Sequence, residues 1–357
     1  MLRDGQVLAG RFAVERLAGM GGMGAVYRAA DLQTGQPVAL KILRTHEREA
    51  LDQADVERFV REARILAELR HPAVVAYVAH GIAEDATPYL AMEWVEGFDL
   101  AQRLHKSPLS LRESVTLVRC VADALSGAHE RGFVHRDIKP ANLLLRGGEV
   151  ERVVLLDFGI ARRGRSGTAR MTGTGYLVGT PEYMAPEQAR GEKILTPAVD
   201  VFALGCVWFE CLTGRPPFQS EHMAAVLAKV LFEPAPSLAA SRPGIPAAVD
   251  ALVARMLAKD PEARCRDGRA LLEELAAIEG GLASGETMMA PLSGTLPAPM
   301  TQPGPEQRLV AVVLASVPVT VHAETIVASE SQALRQGIEA LRVDLGPMGA
   351  DVHLLAD

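Results

Sequence analysis

The sequence predicts an α+β fold in two lobes, a small strand-rich one with one main helix and a larger one built from helices. Two changes of hydrophobic period carry that reading. Between Arg11 and Trp94 apolar residues fall in short strand-like runs, Phe12–Leu17, Ala25–Ala29, Pro37–Leu43, Val74–Ala79 and Tyr89–Trp94, interrupted by one helical pattern over about Asp55–Leu69. From Leu100 to Ile278 the spacing becomes that of amphipathic helices, with a short strand-rich insert around Asn142–Leu156. The switch falls near Met92–Gly97, so a cleft between the lobes is expected there, a frequent setting for a small-molecule site.

The same pass sets expected boundaries. Residues 1–10 form a lead-in, 11–95 the N-lobe and 96–279 the C-lobe. Residues 280–307 read as a flexible linker, because Gly280–Pro305 is rich in Gly, Pro, Ala, Ser and Thr without periodicity. Beyond it Arg308–Ala315 reads as a buried strand, Glu330–Val343 as a helix and Asp351–Leu355 as the start of another strand. Those pieces cannot close a core by themselves, so 308–357 is expected to be an incomplete α/β segment of a longer natural protein.

Composition narrows the function classes. A net charge of −7 over 357 residues gives no support to a generic nucleic-acid or anionic-membrane surface. The four cysteines, Cys120, Cys206, Cys211 and Cys265, lack metal-ligand spacing and read as reduced thiols. The N-terminus has no apolar signal-like region, and the longest apolar run, Leu309–Val321, contains Ser316 and Pro318 and is too short to span a bilayer. A cytoplasmic protein without a membrane span or nucleic-acid partner is expected.

The chemistry lies in motifs that phosphoryl transfer needs in this order. Glycines 19, 21, 22 and 24 sit between two strand runs, where the lack of side chains lets backbone N–H groups approach phosphates, and Val26 would then lie over a purine ring. Lys41 ends the apolar run Val38-Ala39-Leu40. Glu62 falls on the apolar face of the following helix with Phe59, Leu66 and Leu69, where a carboxylate is costly unless a cation meets it. A Lys41–Glu62 pair is therefore expected, holding the ammonium against the α- and β-phosphates. Asp157 follows the buried strand Val153-Val154-Leu155-Leu156, so its carboxylate emerges at a strand end, and Asn142 supplies a neutral oxygen nearby. One Asp and one Asn suit Mg²⁺, which keeps several waters and phosphate oxygens. Asp137 is then the acceptor for a substrate hydroxyl proton.

With Ala185-Pro186-Glu187 added, residues from about Arg11 to Glu279 resemble a protein kinase domain. The likeness is strongest to the bacterial "eukaryotic-like" serine/threonine kinases, through Gly21-Gly22-Met23 and Pro186-Glu187-Gln188. The resemblance implies the bilobal protein kinase fold, ATP with Mg²⁺ or Mn²⁺, protein substrates bearing Ser or Thr, and a homodimer for trans-autophosphorylation. On matching positions it implies an ATP site of Leu17, Gly19, Gly21, Gly22, Gly24, Val26, Ala39 and Lys41, with Met92 as gatekeeper, Glu93 and Val95 at the hinge and Leu144 as the floor. It implies Asp137 and Lys139 as catalytic groups assisted by Lys41 and Glu62, with Asn142 and Asp157 on the metal. Lys139 and Thr180 would belong to the substrate site, Thr180 as the structural threonine that contacts its aspartate, Glu187 would pair with Arg264, and Asp200 would brace the His135–Asp137 loop. Arg136 would answer a phosphate on Thr172 or Thr174. Two other readings compete: a pseudokinase or scaffold module, which usually loses Lys41, Asp137 or Asp157, and a small-molecule kinase, which normally lacks Ala185-Pro186-Glu187. Gln307–Ala315 is similar to the opening strand of class III nucleotide-cyclase-like domains, with Ser316 where a metal-binding aspartate normally follows.

Overall fold

A computed structural model describes residues 2–21, 24–43, 60, 63–64, 66–83, 87–156 and 181–283. The readings made for 284–357, most of the linker and the C-terminal segment, lie outside the described residues.

The small lobe is an antiparallel sheet of β1 (Val7–Leu8), β2 (Phe12–Gly21), β3 (Gly24–Asp31), β4 (Pro37–Leu43), β5 (Tyr77–Ile82) and β6 (Pro88–Glu93), in the order β1-β2-β3-β4-β6-β5. Its two faces follow from strand alternation. On β4, Val38, Leu40 and Ile42 are buried with Phe12, Tyr27 and Tyr89 in one apolar cluster. Ala39 and Lys41 alternate to the opposite face, where the register sets Ala39 against Met92 and Lys41 against Leu90. Leu90 and Met92 pack with Ala63 and Leu66, in the cluster that continues into the large lobe. Where β2 begins and β3 ends, Arg11 grips Asp31 with two hydrogen bonds of 2.8 Å. That guanidinium holds the Asp31 carboxyl well below the usual carboxylate range.

Two elements differ from expectation. The strand expected over Val74–Ala79 runs from Tyr77 to Ile82. The reason is a competing partner: the Leu155 N–H donates to Ala73 O at 2.8 Å, and the Val75 N–H donates to Leu155 O at 3.1 Å. The backbone of 73–75 is thereby taken by the large lobe. Conversely, Val7–Leu8, expected within a lead-in, pairs with Phe12–Ala13 and buries Leu8 to 4% exposure.

The chain enters the large lobe through β7 (Gly97–Asp99), which pairs with β8 (Leu143–Arg146), itself paired with β9 (Val153–Leu155). Gly97 has φ +155°, and a Cβ there would lie 2.1 Å from Leu145 O, so only glycine fits this entry. The helix Leu111–Glu130 opens with a capping box in which Ser110 and Glu113 satisfy each other's backbone N–H. The helix Ala198–Thr213 is apolar almost all round and correspondingly buried on nearly every side. Trp208, fully buried on it, donates Nε1–H to Ser114 Oγ at 3.1 Å and locks the two helices together. The helix Gly268–Ala283 packs along Leu111–Glu130. Among the described residues no helix is long and apolar enough to cross a membrane.

Candidate active site

On the sheet, the strand register collects one set of site residues. Gly19 faces Val26, Val26 faces Lys41 and Ala39 faces Met92 across neighbouring strands. Cross-strand partners share a face, so Val26, Ala39, Lys41 and Met92 line the same side of the sheet. Lys41 is only 6% exposed there. Gly21 and Gly24 are the last paired residues of the β2–β3 hairpin, and Gly22 at its tip lies outside the described residues. Leu17 sits at a register shift in β2 and is 43% exposed. Glu62, the expected partner of Lys41, also lies outside the described residues.

At the hinge, Met92 and Val95 are buried. Glu93 is anchored twice: its N–H donates to Ala76 O at 2.8 Å, and its carboxylate accepts Arg146 Nη2 at 3.0 Å and the Ala76 N–H at 3.1 Å. Leu143 and Leu145 point into the large-lobe core, so the intervening Leu144 turns to the other face of β8.

The segment His135–Asn142 carries the polar centre. Lys139 Nζ donates to Asp137 Oδ2 at 3.0 Å. Asn142 Nδ2 donates to the same oxygen at 3.0 Å and to Asp137 O at 2.7 Å. With its amide nitrogen so committed, Asn142 keeps Oδ1 as the side-chain oxygen suited to a hard cation.

This segment is held by its backbone. Asp200, fully buried, accepts the N–H groups of His135 and Arg136, each at 2.7 Å, and His129 Nε2–H at 3.0 Å. The tautomer of His129 follows from its other nitrogen, which accepts the Gly268 N–H at 3.1 Å. Arg136 has a left-handed backbone, φ +68°. For a residue with a Cβ that conformation costs about 1–2 kcal/mol and persists only when its surroundings impose it. Here Asp200 holds the Arg136 amide and Gln188 Nε2 donates to its carbonyl at 3.1 Å.

His135 links this segment to the strand leading to Asp157. Its Nδ1 accepts the Asp137 N–H at 3.2 Å, so the Nε2–H donates to Leu156 O at 2.9 Å. The Leu156 N–H in turn donates to Asn142 O at 2.9 Å. The residue before Asp157 is thus tied to both His135 and Asn142, while Asp157 itself, Thr172, Thr174 and Thr180 lie outside the described residues.

Below the centre, Arg264 makes a two-pronged pair with Glu187, at 2.7 and 2.9 Å, with both side chains almost fully buried. Arg264 also donates to the carbonyls of Ala258, Ala198 and Lys259. Nearby, the Tyr183 hydroxyl donates to Glu210 at 2.6 Å, and burial raises the Glu210 carboxyl above its ordinary value. Sequence reasoning assigned no role to His129, Tyr183 or Glu210 and none to the side chain of Gln188. The only available hint was polar side chains among small or apolar neighbours, as at Ala128-His129 and Phe209-Glu210.

The profile of the family described as protein kinase domain matches residues 12–274. The chain belongs to that family. Among its relatives, serine/threonine-protein kinase PknB of Mycobacterium tuberculosis is 34% identical over 316 residues, covering 85% of this chain and 50% of the relative. Serine/threonine-protein kinase pkn3 of Myxococcus xanthus is 40% identical over 283 residues, covering 77% of this chain and 51% of the relative. The chain therefore spans about half the length of these curated relatives. The solved kinase domain of Mycobacterium tuberculosis PknI superposes with a TM-score of 0.61 at 30% identity, over 78% of this chain and all of that one. The sheet-rich small lobe and helical large lobe are those of the protein kinase fold.

Proposed function

We propose that this protein kinase domain is an ATP- and Mg²⁺-dependent serine/threonine kinase acting on proteins in bacterial signalling. The observation that carries the reading is the grip of Lys139 and Asn142 on the Asp137 carboxylate, at the end of a segment whose backbone Asp200 fixes. Asp137 accepts the hydrogen of the substrate hydroxyl while that oxygen forms its bond to the γ-phosphorus and the bond to the β,γ-bridging oxygen breaks. Lys139, donating into the same site, offsets negative charge on the group in transfer. Lys41, held on the sheet face it shares with Val26 and Ala39, orients the α- and β-phosphates, and Glu62 is its proposed partner. Gly19, Gly21, Gly22 and Gly24 cover the phosphates, and the base lies among Leu17, Val26, Ala39, Met92 and Leu144, with backbone bonds at Glu93 and Val95.

The donor set fits a hard divalent cation, since Asn142 offers an amide oxygen and Leu156, the neighbour of Asp157, is tied to Asn142 and His135. Magnesium, or manganese in its place, would be held by Asn142 and Asp157 and would neutralise phosphate charge. Lys139 and Thr180 belong to the proposed substrate site, with Thr180 the proposed structural contact of its aspartate. Phosphate on Thr172 or Thr174, transferred in trans between two copies of the chain, supplies about −1.5 to −2 charge for Arg136 to meet and so orders the segment.

Self-labelling with γ-labelled ATP and magnesium tests the reading. Transfer abolished by Lys41→Met, Asp137→Asn and Asp157→Ala is the expected result. Nucleotide binding without transfer in the unaltered chain would favour a scaffold. Replacing Thr172 and Thr174 together by alanine is expected to remove most activation-segment phosphate and lower activity; unchanged phosphopeptides would defeat the regulatory part.

A further inference from the structure

Gln188 sits in the short helix Pro186–Ala189, directly after Glu187, whose carboxylate Arg264 clamps in the interior. Its side chain uses both ends. Oε1 accepts the Ala185 N–H at 3.1 Å, and Nε2 donates to Arg136 O at 3.1 Å. That carbonyl belongs to the peptide group leading into Asp137, whose N–H edge is held by His135 Nδ1 at 3.2 Å. The peptide plane before Asp137 is therefore gripped on both edges, and the same Gln188 borders a small cleft with Asp137, Lys139, Tyr183 and Met184.

We propose that Gln188 is a positioning residue: its amide fixes the Arg136–Asp137 peptide and so aims the Asp137 carboxylate at the acceptor hydroxyl. The inference rests on Asp137 acting as the proton acceptor. Removing the Gln188 donor takes away the bond made to that carbonyl and leaves the His135 hold on the N–H edge. Asp200 holds the Arg136 amide but not its carbonyl. A carboxylate in place of the amide keeps an acceptor for the Ala185 N–H and loses the donor to Arg136 O, so Gln188→Glu separates the two bonds, and Gln188→Ala removes the donor without adding a charge.

The experiment uses the full chain, MgATP and a serine/threonine acceptor peptide, comparing unaltered protein with Gln188→Glu, Gln188→Ala, Asp137→Asn and the double variant Gln188→Glu/Asp137→Asn. Gln188→Glu is expected to lower kcat about 10- to 100-fold, as loss of alignment by a fraction of an ångström does. The KM for ATP should stay within about twofold, because the nucleotide contacts are untouched. The double variant is expected to be no slower than Asp137→Asn alone, since Gln188 acts through that carboxylate. Gln188→Ala should lower kcat in the same way, and it carries the test if Gln188→Glu does not fold. An unaltered kcat in both Gln188 variants beside an inactive Asp137→Asn would overturn the inference. So would a fall in kcat matched by weaker ATP binding, or a further loss in the double variant. A normal rate in Asp137→Asn would instead remove the reading on which the inference stands.

Discussion

Asp200 accepts the Arg136 N–H at 2.7 Å, and so a helix in the middle of the large lobe dictates the backbone of the residue just before Asp137. The same carboxylate accepts from His135 and His129, so one buried side chain collects donors from the segment His135–Arg136 and from the end of the helix Leu111–Glu130. Replacing Asp200 by alanine strands these donors away from water. A loss of about 3 kcal/mol in unfolding free energy is expected, read from urea denaturation. Activity should fall further than stability explains, because the left-handed backbone of Arg136 then loses the Asp200 bond to its amide. An Asp200→Ala protein with normal kcat would contradict this account.

The pair of Glu187 and Arg264 yields an asymmetric prediction. Arg264→Ala leaves an uncompensated buried carboxylate together with three carbonyls that lose their donor. A cost of about 3–5 kcal/mol is expected. Glu187→Gln keeps an oxygen to accept from the guanidinium and should cost less. Denaturation midpoints of the two variants give the order directly, and equal costs would contradict the asymmetry.

Lys259 gives a pH dependence. Its amine donates to Lys229 O and Val230 O and lies 3.8 Å from the centre of the Phe218 ring. Burial lowers its pKa to about 8. An unfolded lysine titrates near 10.4, so between those values the unfolded chain binds more protons than the folded one. This group's contribution to stability therefore rises as pH climbs through that window, is complete above it, and is lost as pH falls through about 8. Comparing unfolding free energies from about pH 7.5 to 10.5, Lys259→Met should remove that rise. A parallel curve in the variant would assign the slope to other groups.

Much of the fold was legible because period and burial agree. The alternation in Pro37–Leu43 sends Val38, Leu40 and Ile42 to one apolar cluster and leaves Ala39 and Lys41 on the face shared with Met92. The strand placed at Val74–Ala79 was misread for a physical reason: apolar spacing cannot tell whether a backbone finds its partner in the next strand or in Leu155, far along the chain. At the site, Asp137, Lys139 and Asn142 could be named because they stand close in sequence. The couplings of Asp200 to His129 and of Gln188 to Arg136 could not, since hydrogen bonds between distant segments leave no periodic trace.

The two bonds joining residues 73–75 to Leu155 bear on how such domains could be recombined. Cutting the polypeptide at the hinge would separate the lobes in sequence but not in space, because 73–75 are moored to the part of the chain that follows. A chimera that grafts this sheet onto a foreign helical half would have to import the donor's equivalent of that stretch as well, or leave Ala73 O and the Val75 N–H facing an ill-matched neighbour.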